Sequence, residues 1–210
     1  GANLKRREAG DEAALATAIE GLKSSDESIV ISAIEYVRHH HEDRQTEILG
    51  HLCADQRKYV RSAAIQPLLT DDSPAAVESL ASALSDSDSE YSAVLALAKR
   101  RDARAWPVLL KMIQGDSVGD QRFAAENLHY IGNDALPILR DLLANDDEKL
   151  RRAALTSLQK IADVSVLDAL LKYAAAETRS DERSRIIDTL GRINDPRSIQ
   201  YLETFLDDPR

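Results

Sequence analysis

The run Arg38-His39-His40-His41-Glu42-Asp43 sets three imidazoles beside two carboxylates, the raw material of a metal or proton-transfer site. A transition-metal ion needs such groups to converge on one point. Successive residues of a helix point about 100° apart, so three consecutive imidazoles cannot grip one ion without unwinding it. The repeat frame derived below places His40 toward the core, His39 on the opposite side and His41 in a turn. Cationic side chains at a helix C-terminus also suit its dipole. Glu126-Asn127-Leu128-His129 has the Glu-x-x-His spacing of di-iron bundles, but those need a second copy and further carboxylates, and none follows. His51 and Cys53 stand two apart and do not share a helix face, so a Cys–His pair is not formed. Cys53, the single cysteine, reads as a small core residue and excludes an internal disulfide. No Gly-x-Ser-x-Gly, phosphate loop or Gly-x-Gly-x-x-Gly occurs. The expectation is a non-enzymatic chain with no cofactor and no metal.

What positions these groups follows from composition and periodicity. Of the 210 residues, 43% are hydrophobic and only 4% aromatic, with 8 glycines, a profile that favours helices over a sandwich or barrel. The formal charge of −9 argues against a nucleic-acid partner, which calls for a basic footprint. No apolar run approaches the ~20 residues that span a bilayer. Gly1-Ala2-Asn3 and the basic Lys5-Arg6-Arg7 read as a flexible tail over residues 1–10 that includes a tag scar. A cytoplasmic location is expected, with the alternative that the chain is the cytoplasmic part of a longer, membrane-anchored protein.

An internal repeat organises residues 11–208, expected as a single domain. A small residue, an apolar neighbour and a third apolar residue recur as Ala33-Ile34-Val37, Ala64-Ile65-Leu68, Ala93-Val94-Leu97, Ala124-Ala125-Leu128, Ala154-Leu155-Leu158 and Ile186-Ile187-Leu190. The first members are spaced 31, 29, 31, 30 and 32 apart. Each copy holds two helices. The first, A, shows Leu-x-x-Leu spacing, as in residues 80–84, 109–113, 138–143 and 167–171; the second, B, carries the trio as one apolar stripe. Asp26, Asp55, Asp86, Asp116, Asp146 and Asp181 precede the B helices, and Asp43, Asp72, Asp102, Asp134, Asp163 and Asp195 follow them, where carboxylates can take orphaned N–H groups. Pro67 falls inside the second B helix and is expected to kink or shorten it. Trp106, ahead of Pro107, reads as a packing residue at a helix entry. Residues 196–207, closed by Asp207-Asp208, form an A helix without a B helix. The predicted fold is all-α: a right-handed α-solenoid of six helix pairs plus a terminal helix, each pair stabilised by its neighbours.

The period, the Asp-rich turns and the sequences VRSAA (60–64), LRRAA (150–154) and LGRINDPRSIQYL (190–202) resemble the HEAT repeat, in the short bacterial form named after the phycobilin lyases. The resemblance spans residues 11–208. It implies pairing of a recurrent Arg with a turn Asp along the stack. Arg61, Arg151 and Arg183 occupy that position, while Val30, Glu90 and Gln121 depart from it. Deoxyhypusine hydroxylase, a HEAT-like enzyme, repeats His-Glu pairs on several helices, and the lone His41-Glu42 does not meet that pattern. A HEAT-like DNA-repair glycosylase is disfavoured by the net charge.

Function is then expected to be that of a scaffold holding a protein partner on its concave groove, with a bilin-lyase-like or bilin-handling accessory role as the alternative. With each trio's first member as zero, the face opposite the core lies near −2, +2 and +6. Tyr91, Leu95, Lys99, Arg122, Glu126, Tyr130, Arg152 and Lys160 fall there and are the candidate binding residues. Tyr and Arg are enriched among interface hot spots, and the basic +6 positions suit an acidic or amphipathic protein segment.

Overall fold

The structure is a computed structural model that describes residues 2–41, 44–85, 89–176 and 180–206. Glu42, Asp43, Asp86, Asp207 and Asp208 lie outside the described residues. Thirteen α-helices, and no strand, make up the described chain. The first six are α1 (Ala2–Gly21), α2 (Glu27–His40), α3 (Gln45–Leu49), α4 (Lys58–Leu68), α5 (Pro74–Ser82) and α6 (Glu90–Lys99). Then come α7 (Ala105–Gln114), α8 (Val118–Asn127), α9 (Leu136–Leu143), α10 (Glu148–Ile161), α11 (Leu167–Ala176), α12 (Ser180–Ile193) and α13 (Pro196–Leu206). Odd-numbered helices are the A members and even-numbered ones the B members, giving six pairs and a terminal A helix as the periodicity predicts. Residues 2–10, read from sequence as a tail, belong to α1. The chain packs as two compact units, Gly1–Ala105 and Trp106–Arg210.

Burial confirms the register. Every trio residue is buried except Ile187, which is half-buried. Residue Cys53 is buried too, and desolvation pushes its thiol up to about 12, which leaves it protonated and inert at neutral pH. Helix α4 ends one residue after Pro67, three residues shorter than the 14-residue α2, as a missing N–H donor requires.

The turns follow a local code. Asp26 caps α2 by accepting from the Ser28 N–H at 2.9 Å. Asp147 caps α10, one residue later than the expected Asp146, and Ser117 rather than Asp116 caps α8. After the B helices the chain passes through the left-handed region at Arg101, Ala162 and Asn194, each followed by an Asp. Asp102, Asp163 and Asp195 then accept the N–H two residues on, from Arg104, Ser165 and Arg197. At the turn after α4 that bond falls to Asp71, which takes the Ser73 N–H, and not to Asp72.

Two of the recurrent arginines bond the backbone of their own turns, and the Asp55 carboxylate also feels Arg61. Arg61 Nη1 donates to the carbonyls of Asp55 and Gln56, and Arg151 Nη1 to those of Asn145 and Asp146. Gln121, which departs from the motif, donates from Nε2 to the Gly115 carbonyl, six residues back as in the two arginines. These side chains seal the turn between A and B. Other arginines also reach between repeats: Arg57 to the Ser24 carbonyl, Arg104 to Glu78, and Arg197 to Asp168.

Candidate functional site

The three histidines do not meet at one point: His39 turns to Glu35, while the rings of His40 and His41 both lie near Tyr36. His39 pairs with Glu35 at 3.4 Å, and the His41 N–H donates to the Val37 carbonyl as α2 ends. His40 is exposed, contrary to its expected place in the core. The helix stops at His40, so that position lies beyond the packed stripe, and the ring stacks on Tyr36 at 4.4 Å instead. Among the described residues no group of three or more His, Cys, Asp or Glu is placed to hold a metal ion.

The candidate binding residues divide between the units. Tyr91, Leu95 and Lys99 share one face of α6 in the first unit, with Tyr91 and Lys99 exposed and Leu95 half-buried. Arg122, Glu126, Tyr130, Arg152 and Lys160 belong to the second, where α8 packs on α10 and α10 on α12. Arg122 and Glu126 stand one turn apart on α8, both exposed. Arg152 is committed within the protein: it bonds the fully buried Glu182 on α12 and lies 3.3 Å from Glu148 on its own helix. Its role there is to neutralise a buried carboxylate.

Tyr130 and Lys160 meet on His129, a residue that sequence reasoning considered only as a metal ligand. The Tyr130 and His129 rings lie 3.9 Å apart between centroids. Lys160 Nζ is 3.3 Å from His129 Nε2, and His129 Nδ1 is 3.0 Å from the Glu126 carbonyl. An ammonium only donates, so Nε2 accepts and Nδ1 carries the hydrogen that goes to Glu126. Burial, and then the charge of Lys160, holds the imidazole below its ordinary pKa, which keeps it neutral. Behind it, buried Ser157 donates to the Ala125 carbonyl at 2.5 Å and accepts from the His129 N–H, tying α10 to the end of α8. The signal was present in the sequence: residues 129 and 160 lie one repeat apart, so they occupy nearly the same place in neighbouring B helices.

Comparison with known proteins decides the family. The HEAT-repeat model matches residues 46–128 and 119–190, and the PBS lyase HEAT-like repeat matches residues 182–208. The chain belongs to the HEAT-repeat family. It is similar to the HEAT repeat-containing taxis protein OE_2401F of Halobacterium salinarum, with 28% identity over 163 residues. That match covers 77% of this chain and 35% of the relative, so the chain spans about a third of the relative's length. An engineered protein solved in crystal form by the Northeast Structural Genomics Consortium shares the fold, at a TM-score of 0.55 and 19% identity. The alignment covers 85% of this chain and 96% of that one. The chain is thus a helical-repeat scaffold of HEAT type. Among its described residues no helix is long and apolar enough to cross a membrane.

Proposed function

We propose that this HEAT scaffold is non-enzymatic and holds an acidic or amphipathic protein segment on the B-helix face of its second unit. The observation that carries the reading is the joined set of Tyr130, His129 and Lys160, with Arg122 exposed two turns earlier on α8. A rigid aromatic pair next to two cations matches the residue types that dominate interface energetics. Tyr91, Leu95 and Lys99 offer a second, similar face on α6 in the first unit. The relative in Halobacterium, a HEAT repeat-containing taxis protein, gives general support to a repeat-scaffold role.

The test is photo-crosslinking from position 130, followed by affinity measurement with the identified partner. Tyr130→Ala and Arg122→Glu should each weaken binding by more than ~1 kcal/mol with the fold intact, and raised salt should weaken it further. Wild-type affinity in both variants would move the interface to another surface.

A further inference from the structure

In the second unit, on the A-helix side, a cleft of about 640 Å³ opens between α9 and α11. Its volume lies within the range of pockets that hold drug-sized molecules. Arg140, Arg151 and Lys172 line it together with Asp141 and Asp168, and the buried Tyr173 ring forms part of its wall. Both acids already have partners. Arg140 Nε lies 3.5 Å from Asp141, and Arg197 Nη1 lies 3.0 Å from Asp168. That leaves Arg151 and Lys172 without a direct ion pair to a carboxylate among the described residues.

Comparison with the other sealed turn shows why. Arg61 lies six residues after Asp55, whose carboxylate feels its charge. Arg151 lies six residues after Asn145. Asn145 performs the same turn chemistry as Asp55, since its Oδ1 accepts from the N–H two residues on at 2.8 Å, as Asp55 Oδ1 does. The amide keeps the turn and lacks the carboxylate charge that, at the first turn, is bonded to Arg57 and also felt by Arg61. Arg151 is meanwhile fixed in place. Its Nη1 donates at 2.8 Å to both the Asn145 and Asp146 carbonyls, and its guanidinium carbon sits 6.0 Å from the Tyr173 ring centroid. Nε and Nη2 are left to serve a ligand. A pre-positioned guanidinium is suited to the planar, two-oxygen geometry of a carboxylate.

We propose that this cleft binds a small organic carboxylate carried on an aromatic or branched apolar body. Arg151 and Lys172 receive the carboxylate, and the apolar body lies against Tyr173. The site is separate from the B-helix face and does not depend on a protein partner there.

The experiment titrates the intact chain with phenylacetate while amide resonances are followed by NMR. Phenethylammonium, with the same ring and opposite charge, and inorganic phosphate, with charge and no apolar body, serve as comparisons. Phenylacetate should give saturable shifts confined to α9, α11 and the start of α10, at least tenfold tighter than either comparison. Asn145→Asp, which places a carboxylate charge in a turn that Asp55 shows can carry it, should lower that affinity at least tenfold. Lys172→Gln, at an exposed position, should lower it several-fold, and both variants should melt at the wild-type temperature. Shifts scattered over the surface, equal binding of phenethylammonium or phosphate, or unchanged affinity in Asn145→Asp would each overturn the proposal.

Discussion

The turns that open α4 and α10 have the same backbone and different electrostatics. In the first unit Asp55 accepts the Arg57 N–H and its guanidinium, and its carboxylate also feels Arg61. In the second, Asn145 accepts the Asp147 N–H with no charge of its own, and Arg151 seals the turn alone. The geometry that the fold requires is therefore met by an oxygen two residues ahead of an N–H, whether or not it is charged. Charge at this place is free to vary, and that freedom separates a turn closed by ion pairs from one that presents a cation to a cleft. Between these two turns the chain keeps its scaffold and changes its surface by one such substitution.

The core offers no such freedom, and there the largest effects are expected. Leu68 in the first unit and Leu158 in the second are both fully buried at the same repeat position. Leu68→Ala and Leu158→Ala should each cost about 2–5 kcal/mol through the cavity left behind. Urea denaturation followed by far-UV circular dichroism checks this. A midpoint that stayed put in one variant and moved in the other would show that the units differ in their cores as well as their turns.

Acid should separate the units next. Hydrogen bonding from Arg57 lowers the Asp55 carboxyl, against the opposing pull of burial. A group whose folded pKa lies below its unfolded value stabilises the fold above the unfolded value and loses that contribution as pH falls through the folded one. Asp55 thus contributes fully at neutral pH and loses its contribution below about pH 4. His129 also has a lowered pKa, for the opposite chemical reason: burial and Lys160 disfavour its cation. The unfolded chain takes up that proton first, so its contribution starts to fade as pH drops below about 6.5. Denaturation midpoints measured from pH 7 to 3 should show His129→Gln flattening the upper part of the slope and Asp55→Asn the lower part. No change in the upper part would mean that burial and Lys160 together do not hold His129 neutral.

What the sequence makes legible follows from the range of the forces involved. The trio, the two-helix period and the terminal A helix were legible because burial stamps an apolar periodicity on the sequence. Pro67 and the turns of Asp26, Asp55, Asp102, Asp163 and Asp195 were legible because their effects act within a few residues, whereas Asp71, Ser117 and Asp147 take the bonds expected of Asp72, Asp116 and Asp146. His40 was misplaced because its repeat position was extended past the point where α2 ends. The pairing of Arg152 with Glu182 was not visible, since nothing local in a run of Asp, Glu and Arg says which side chain turns inward. Of the candidate surface residues, exposure was legible for Tyr91, Lys99, Arg122, Glu126 and Lys160 from helical phase. The joining of Tyr130 and Lys160 through His129 needed the stacking of α8 on α10. The neutral substitution at Asn145 could be read only once Arg61 and Arg151 were seen to seal equivalent turns.

The smallest expected effect lies in the left-handed residues that follow α6, α10 and α12. Arg101 has φ 58°, Ala162 φ 50° and Asn194 φ 51°, whereas the turn after α8 uses a glycine, Gly132, at φ 79°. A Cβ in this region crowds the neighbouring carbonyl, and asparagine recovers part of that cost through local hydrogen bonding. Glycine has no Cβ but loses more backbone entropy on folding, which offsets part of the relief. Ala162 shows the clearest case, because its side chain brings neither local hydrogen bonding nor charge. Ala162→Gly should stabilise the chain by about 0.5–1 kcal/mol, and Arg101→Gly in the first unit by a similar amount. Asn194→Gly should change it by a few tenths at most. Urea midpoints of the three variants against wild type provide the measurement. Equal gains at all three positions would mean that relief of the Cβ contact alone sets the effect, and a loss at Ala162 would mean that its half-buried methyl packs more strongly than the left-handed backbone strains it.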